Sequence, residues 1–171
     1  MYQVGDRVVY GSHGVCDILY LEYRTVNRKQ VEYYVLSPID RPEARFFVPT
    51  HNELALSKLR PLITPEGIHT TLKMQSAARL EWIVDEGLRK QTYRELINRG
   101  DPHALVGMIR ALHIHRRTQH EIGRKFHLCD ENFLREAEKL ICSEFSLVLD
   151  VAPESVKSYV HEVTNTEKCR E

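Results

Sequence analysis

Apolar and polar positions alternate through the first sixty residues and then switch to a helical period. Residues 6–10, 15–25, 29–37, 44–49 and 58–62 read as strands. Val31-Glu32-Tyr33-Tyr34-Val35-Leu36 is rich in β-branched and aromatic side chains, as a half-buried strand requires. Gly5-Asp6 and the stretch Gly11 to Gly14 punctuate the first strands as tight turns. Asn27-Arg28 lies between two strand runs and predicts a hairpin. Pro49 stops the run Arg45-Phe46-Phe47-Val48, because it cannot donate to a ladder.

The pattern changes at Thr64-Pro65-Glu66, with Thr at an N-cap and Pro at the first helical position. Gly100 sits where a helix C-terminus needs glycine, and Asp101-Pro102 repeats the start signal. Leu105, Met108, Ile109 and Leu112 share one face of the helix that follows. Asp130 is read as the cap of the next helix, whose stripe is Phe133, Leu134, Ala137, Leu140, Ile141 and Phe145. Pro153 opens the last, with Val156, Tyr159, Val160 and Val163 in helical spacing. Residues 78–99 carry two phases. Leu80, Ile83, Val84 and Leu88 make one, Tyr93, Leu96 and Ile97 the other, and Gly87 lies between them. Trp82 falls within the first segment but takes the angle of the second, so pattern leaves its burial open.

These elements predict an α+β chain. A small five-stranded β-barrel of the SH3 or Tudor kind fills residues 1–62, an all-α helical bundle residues 63–165, and a frayed polar tail residues 166–171. At 171 residues, 42% hydrophobic and 28% charged, the chain has the composition of a globular protein able to bury a core. It has no apolar run of membrane-spanning length and no signal-peptide pattern. Cys16, Cys129, Cys142 and Cys169 form no CxxC pair and read as reduced thiols. A cytoplasmic protein without membrane association is expected.

The formal net charge of zero is unevenly distributed. Residues 1–64 carry 8 Lys/Arg against 7 Asp/Glu, residues 65–127 carry 11 against 7, and residues 128–171 carry 5 against 10. Six of the nine histidines also lie in the middle block. Within residues 89–125, Arg89, Lys90, Arg94, Arg99, Arg110, Arg116, Arg117, Arg124 and Lys125 meet only Glu95, Asp101 and Glu121. Such a block either serves a polyanion or is a solvated helix face. Trp82 near Arg89 and Lys90 suits nucleic acid, since backbone cations beside a stacking aromatic are a recurrent pairing. A tryptophan of the core is the other reading.

Enzymatic motifs are absent: no glycine-rich phosphate loop, no GxSxG, no HExxH. His113 and His115 diverge on a helix and lack a completing ligand, so no metal is expected from that pair. Asp85-Glu86 likewise diverges. A non-enzyme without a cofactor follows.

Val4-Gly5-Asp6-Arg7-Val8-Val9-Tyr10, His13-Gly14, Glu32-Tyr33-Tyr34-Val35-Leu36, Val48-Pro49 with Asn52, and Leu96-Ile97-Asn98-Arg99-Gly100-Asp101 resemble, in this order, the CarD/CdnL family of bacterial transcription regulators. The resemblance spans roughly residues 2–163 and implies two activities. The N-terminal domain binds the β subunit of RNA polymerase through a strand edge and salt bridges. The helical domain contacts promoter DNA at the upstream edge of the bubble, largely without sequence specificity, and alters open-complex stability. By position, Arg24 matches a basic residue used against polymerase. Phe47 directly precedes Val48-Pro49, where well-known members carry arginine, and Arg45 stands two residues back. Trp82 matches a tryptophan wedge, although in those members it lies about a helical turn nearer the Gly-Asp. Arg89, Lys90 and Arg94 fall in the basic DNA-facing region. A KOW-like RNA-binding module with a helical accessory domain is the alternative, although the first 64 residues are only slightly basic. A monomer and a domain-swapped dimer are both compatible with an exposed strand edge.

Overall fold

A computed structural model describes residues 2–74 and 81–165, with the side chains of 163–165 excepted. The chain divides into two units that meet at Leu62 and Ile63.

The first unit is one antiparallel sheet. Its strands are β1 (Arg7–Tyr10), β2 (Val15–Val26), β3 (Lys29–Pro38), β4 (Phe46–Pro49) and β5 (Leu59–Pro61), in the spatial order β4-β3-β2-β1-β5. A 3-10 turn at Gly11–His13 joins β1 to β2, and a one-turn helix α1 (Glu53–Leu56), capped by Asn52, precedes β5. Neither short helix is legible in the alternation, since each is a single turn. The two-residue link Asn27-Arg28 has φ of 51° and 63°. Both residues therefore take the left-handed conformation, whose twist matches the flanking strands. A bulge between Ile18 and Tyr20 bends β2. Val8, Cys16, Ile18, Tyr34, Leu36, Val48 and Leu59 form the core on one face.

The second unit comprises α2 (Pro65–Met74), α3 (Glu86–Arg99), α4 (Pro102–Glu121), α5 (Leu128–Leu149) and α6 (Pro153–Asn165). Thr64 accepts a hydrogen bond from the Gly67 amide, and Asp101 accepts one from that of Ala104, so both start signals cap as their sequence predicts. Gly100 closes α3 at φ 64°, its amide donating to the carbonyls of Leu96 and Ile97. α4 is buried without interruption from Leu105 to His113, because α2, α3, α5 and α6 all pack on it. A helix surrounded in this way needs apolar residues all round, beyond the single stripe expected from its spacing.

Three local expectations are corrected. Asp130 does not cap α5. His127 holds that position, and Asp130 lies buried inside the first turn. Tyr159 leaves the stripe of α6 and is exposed beside buried Val156 and Val160. Asp85 caps α3 through the amide of Leu88, so residues 81–84 are not helical, and Val84 and Leu88 are exposed. Leu80 and the tail 166–171 lie outside the described residues. Among the described residues, no helix is long and apolar enough to cross a membrane.

Candidate functional site

In the first unit, strand pairing sets Tyr20 opposite Val35 and Val35 opposite Phe47, on the face away from the core cluster. Arg24 lies four residues beyond Tyr20 on β2, on the same face by strand periodicity. Its guanidinium carbon stands 3.6 Å from the centroid of the Phe47 ring, and its Nε donates to Glu22 Oε1 at 2.7 Å. Each contact is worth on the order of 0.5 kcal/mol at an exposed site, enough to orient the side chain without consuming its charge. Phe47 belongs to β4, which forms one edge of the sheet. The candidate surface therefore joins a cation, an aromatic ring and a strand edge. Arg45 does not join it. Its Nη1 donates to Ser37 Oγ at 3.1 Å, to the Ala44 carbonyl at 2.7 Å and to the Pro42 carbonyl, and so holds its own loop.

In the second unit, the expected DNA-facing residues separate into two groups. Arg89 is buried. Its Nε and Nη2 donate to the two carboxylate oxygens of Asp130 at 3.0 and 3.1 Å, and its Nη1 donates to the carbonyls of Ile83 and Val84. The fork is bidentate, and a buried Arg and Asp need this mutual pairing to offset desolvation. Arg89 is therefore corrected from a phosphate contact to an internal tie between residues 83–84 and α5. Arg110 is buried as well, on central α4. Lys90 is half-buried and paired with Glu86 one turn earlier, a hydrogen bond that raises its pKa and lowers that of Glu86. Arg94 and Arg99 are exposed on α3. So are Arg124 and Lys125 beyond α4, while Arg116 and Arg117 are partly exposed.

Trp82 is half-buried against the helical core. Its indole stacks on the imidazole of His115, and the Arg89 guanidinium lies 4.6 Å from its ring centroid. Burial pushes the His115 pKa down, the Asp130 carboxylate opposes it, and Arg89 adds a smaller downward push. The sequence separation of His113 and His115 has the expected consequence: the former faces Glu138 on α5 and the latter faces Trp82. The spacing of Trp82 to His115 gives no helical or strand signal, so this stack was not readable from the chain.

Residues 2–63 match the family model described as CarD-like/TRCF RID domain. The N-terminal unit is thus similar to a CarD-like RID domain. The match covers the whole five-stranded sheet and ends at the junction with the helices. A RID domain is an RNA polymerase-interacting domain of transcription factors, so the match points to RNA polymerase as the partner of this unit. Arg24 and Phe47 both lie within the matched residues, whereas Trp82, Lys90 and Arg94 lie beyond them.

Proposed function

We propose that this CarD-like chain is a transcription regulator of the bacterial cytoplasm that grips RNA polymerase with one unit and promoter DNA with the other. The RID match over residues 2–63 supports the polymerase half of this reading, and the exposed cations of α3 support the DNA half. The N-terminal unit engages the β subunit at the β4 edge, where backbone groups add a strand partner and Arg24, oriented over Phe47, meets an acidic side chain. The helical unit contacts DNA at the upstream edge of the bubble, largely independently of sequence.

Exposed Arg94, with Lys90 beside it on α3, holds phosphates. Trp82 reaches the minor groove from its half-buried place. Leaving the His115 stack costs about 1 kcal/mol, which adds to the loss of core packing and to the few kcal/mol for unstacking a base step, and contacts to the distorted duplex must offset the sum. The outcome is a changed lifetime of the open complex, with no covalent chemistry on the nucleic acid.

The test is capture of purified bacterial RNA polymerase by wild type, Arg24→Glu and Trp82→Ala, followed by measurement of open-complex lifetime. Arg24→Glu is expected to lose polymerase. Trp82→Ala is expected to bind polymerase and leave the lifetime unaltered from that of polymerase alone. A wild-type chain that binds RNA and not polymerase would replace this reading with an RNA-binding module.

A further inference from the structure

Three helices of the second unit each send one ligand-type side chain to a common point. His113 from α4 places Nε2 3.0 Å from Oε1 of Glu138 on α5, and His161 from α6 places its Nε2 3.3 Å from the same oxygen. All three atoms lie within 4.8 Å of one another. A tetrahedral zinc centre with ligand bonds of about 2 Å separates its ligand atoms by about 3.3 Å. Both distances to Oε1 are already close to that value.

We propose that His113, Glu138 and His161 form a binding site for a zinc-class divalent cation that clamps α4, α5 and α6. Two imidazoles and one carboxylate are a borderline-soft donor set, suited to zinc and not to magnesium or calcium. The set leaves a fourth position for water. The resulting site belongs to the helical unit and is independent of the polymerase reading.

The surrounding side chains define how the site loads. Lys157 Nζ sits 3.1 Å from Oε2 of Glu138, so it holds the second oxygen and leaves Oε1 to approach a cation alone. On the other side, Arg116 Nη2 lies 3.1 Å from Nδ1 of His113. A guanidinium only donates, so Nδ1 accepts and the His113 proton is on Nε2, directed at Glu138. A cation on Nε2 needs that proton moved to Nδ1, where it would face the Arg116 donor. Arg116 must therefore swing away. It has room to do so, because it lines an open hollow with Arg117 and His120. Arg116 is thus a gate that opposes loading, and Lys157 is a positioning residue.

The experiment is zinc titration of the full chain after chelator treatment, read by competition with a chromophoric chelator and by thermal unfolding. Wild type is expected to take one Zn²⁺ and to gain on the order of 5 °C with free metal at a hundredfold excess over Kd. His161→Ala should bind more than about tenfold more weakly. Arg116→Ala should bind at least as tightly as wild type. Substituting Co²⁺ supplies a second readout that does not depend on stability, as a tetrahedral visible band in wild type that His161→Ala lacks. His120→Ala is the control and should retain both the band and the affinity. No binding by folded wild type, or equal binding by His161→Ala, would overturn the proposal.

Discussion

The indole of Trp82 and the imidazole of His115 lie parallel, with centroids 3.5 Å apart and planes within 10° of each other. Trp82 is the only tryptophan in the chain, so its emission reports this one contact. The His115 pKa is lowered from the ordinary value of 6.5, chiefly by burial. A lowered folded pKa means that the unfolded chain takes up a proton first as pH falls. The stabilising neutral form is fully present above about pH 6.5 and is lost as pH drops through the folded value. Emission is expected to stay flat from pH 8 to about 6.5 and then change with a midpoint below 6.5. His115→Gln should abolish that transition in a fluorescence titration.

Arg89 and Asp130 should behave as a buried unit. Arg89→Ala leaves the Asp130 carboxylate uncompensated, at an expected cost of about 3–5 kcal/mol in urea unfolding. The double change Arg89→Met with Asp130→Leu should recover most of it, because neither charge then remains buried.

Arg94→Ala is expected to do the opposite. Its stability should stay within about 0.5 kcal/mol of wild type, since Arg94 is exposed. If it neutralises one phosphate, the slope of log K against log salt for DNA binding should fall in magnitude by about one. Fluorescence anisotropy on a duplex at several salt concentrations measures it.

Arg24 and Phe47 should couple. Alanine at either position removes the same 3.6 Å contact, so their effects on polymerase affinity are expected to be non-additive by about 0.5–1 kcal/mol. A double-mutant cycle on polymerase binding gives the value. Arg45→Ala should couple with neither, because its Nη1 ties the side chain into its own loop.

Arg28→Gly is expected to stabilise the N-terminal unit by about 0.5–1 kcal/mol. Arg28 holds φ at 63°, which costs a side chain with a Cβ and costs glycine nothing. Thermal unfolding followed by far-ultraviolet circular dichroism tests it.

Local signals were the legible part of this chain. Strands announced themselves because alternation and turn residues act within a few positions, as at Asn27-Arg28. The starts of α2 and α4 were equally local, carried by Thr64 and Asp101 on their own third-following amides. What escaped was contact between distant positions. Asp130 looked like a cap because acids favour helix starts, yet Arg89, forty-one residues earlier, draws it inside. Arg89 has the sequence signature of a free cation for the same reason: its partner is remote. Arg24 and Phe47 stand out separately in the sequence, but their contact is made across β2, β3 and β4, while hydrogen bonds within its own loop keep Arg45 aside. The Glu138 meeting of three helices depends entirely on tertiary packing, so no spacing rule reveals it.

The β2–β3 ladder begins at Val26 and Lys29, three positions apart, and runs outward to Cys16 and Pro38. Each rung closes only a small additional loop beyond the one before it. By contrast, Tyr10 must find Leu59 across most of the unit to complete the β1–β5 edge. Jacobson–Stockmayer scaling makes that second closure about 2 kcal/mol more costly in chain entropy when it is attempted from an open coil. Once the hairpin has zipped, much of the intervening chain is already drawn together and the remaining search is shorter. An order of assembly is thus written into the register: the hairpin that carries Arg24 forms first, and the β5 strand that leads into the helices docks last.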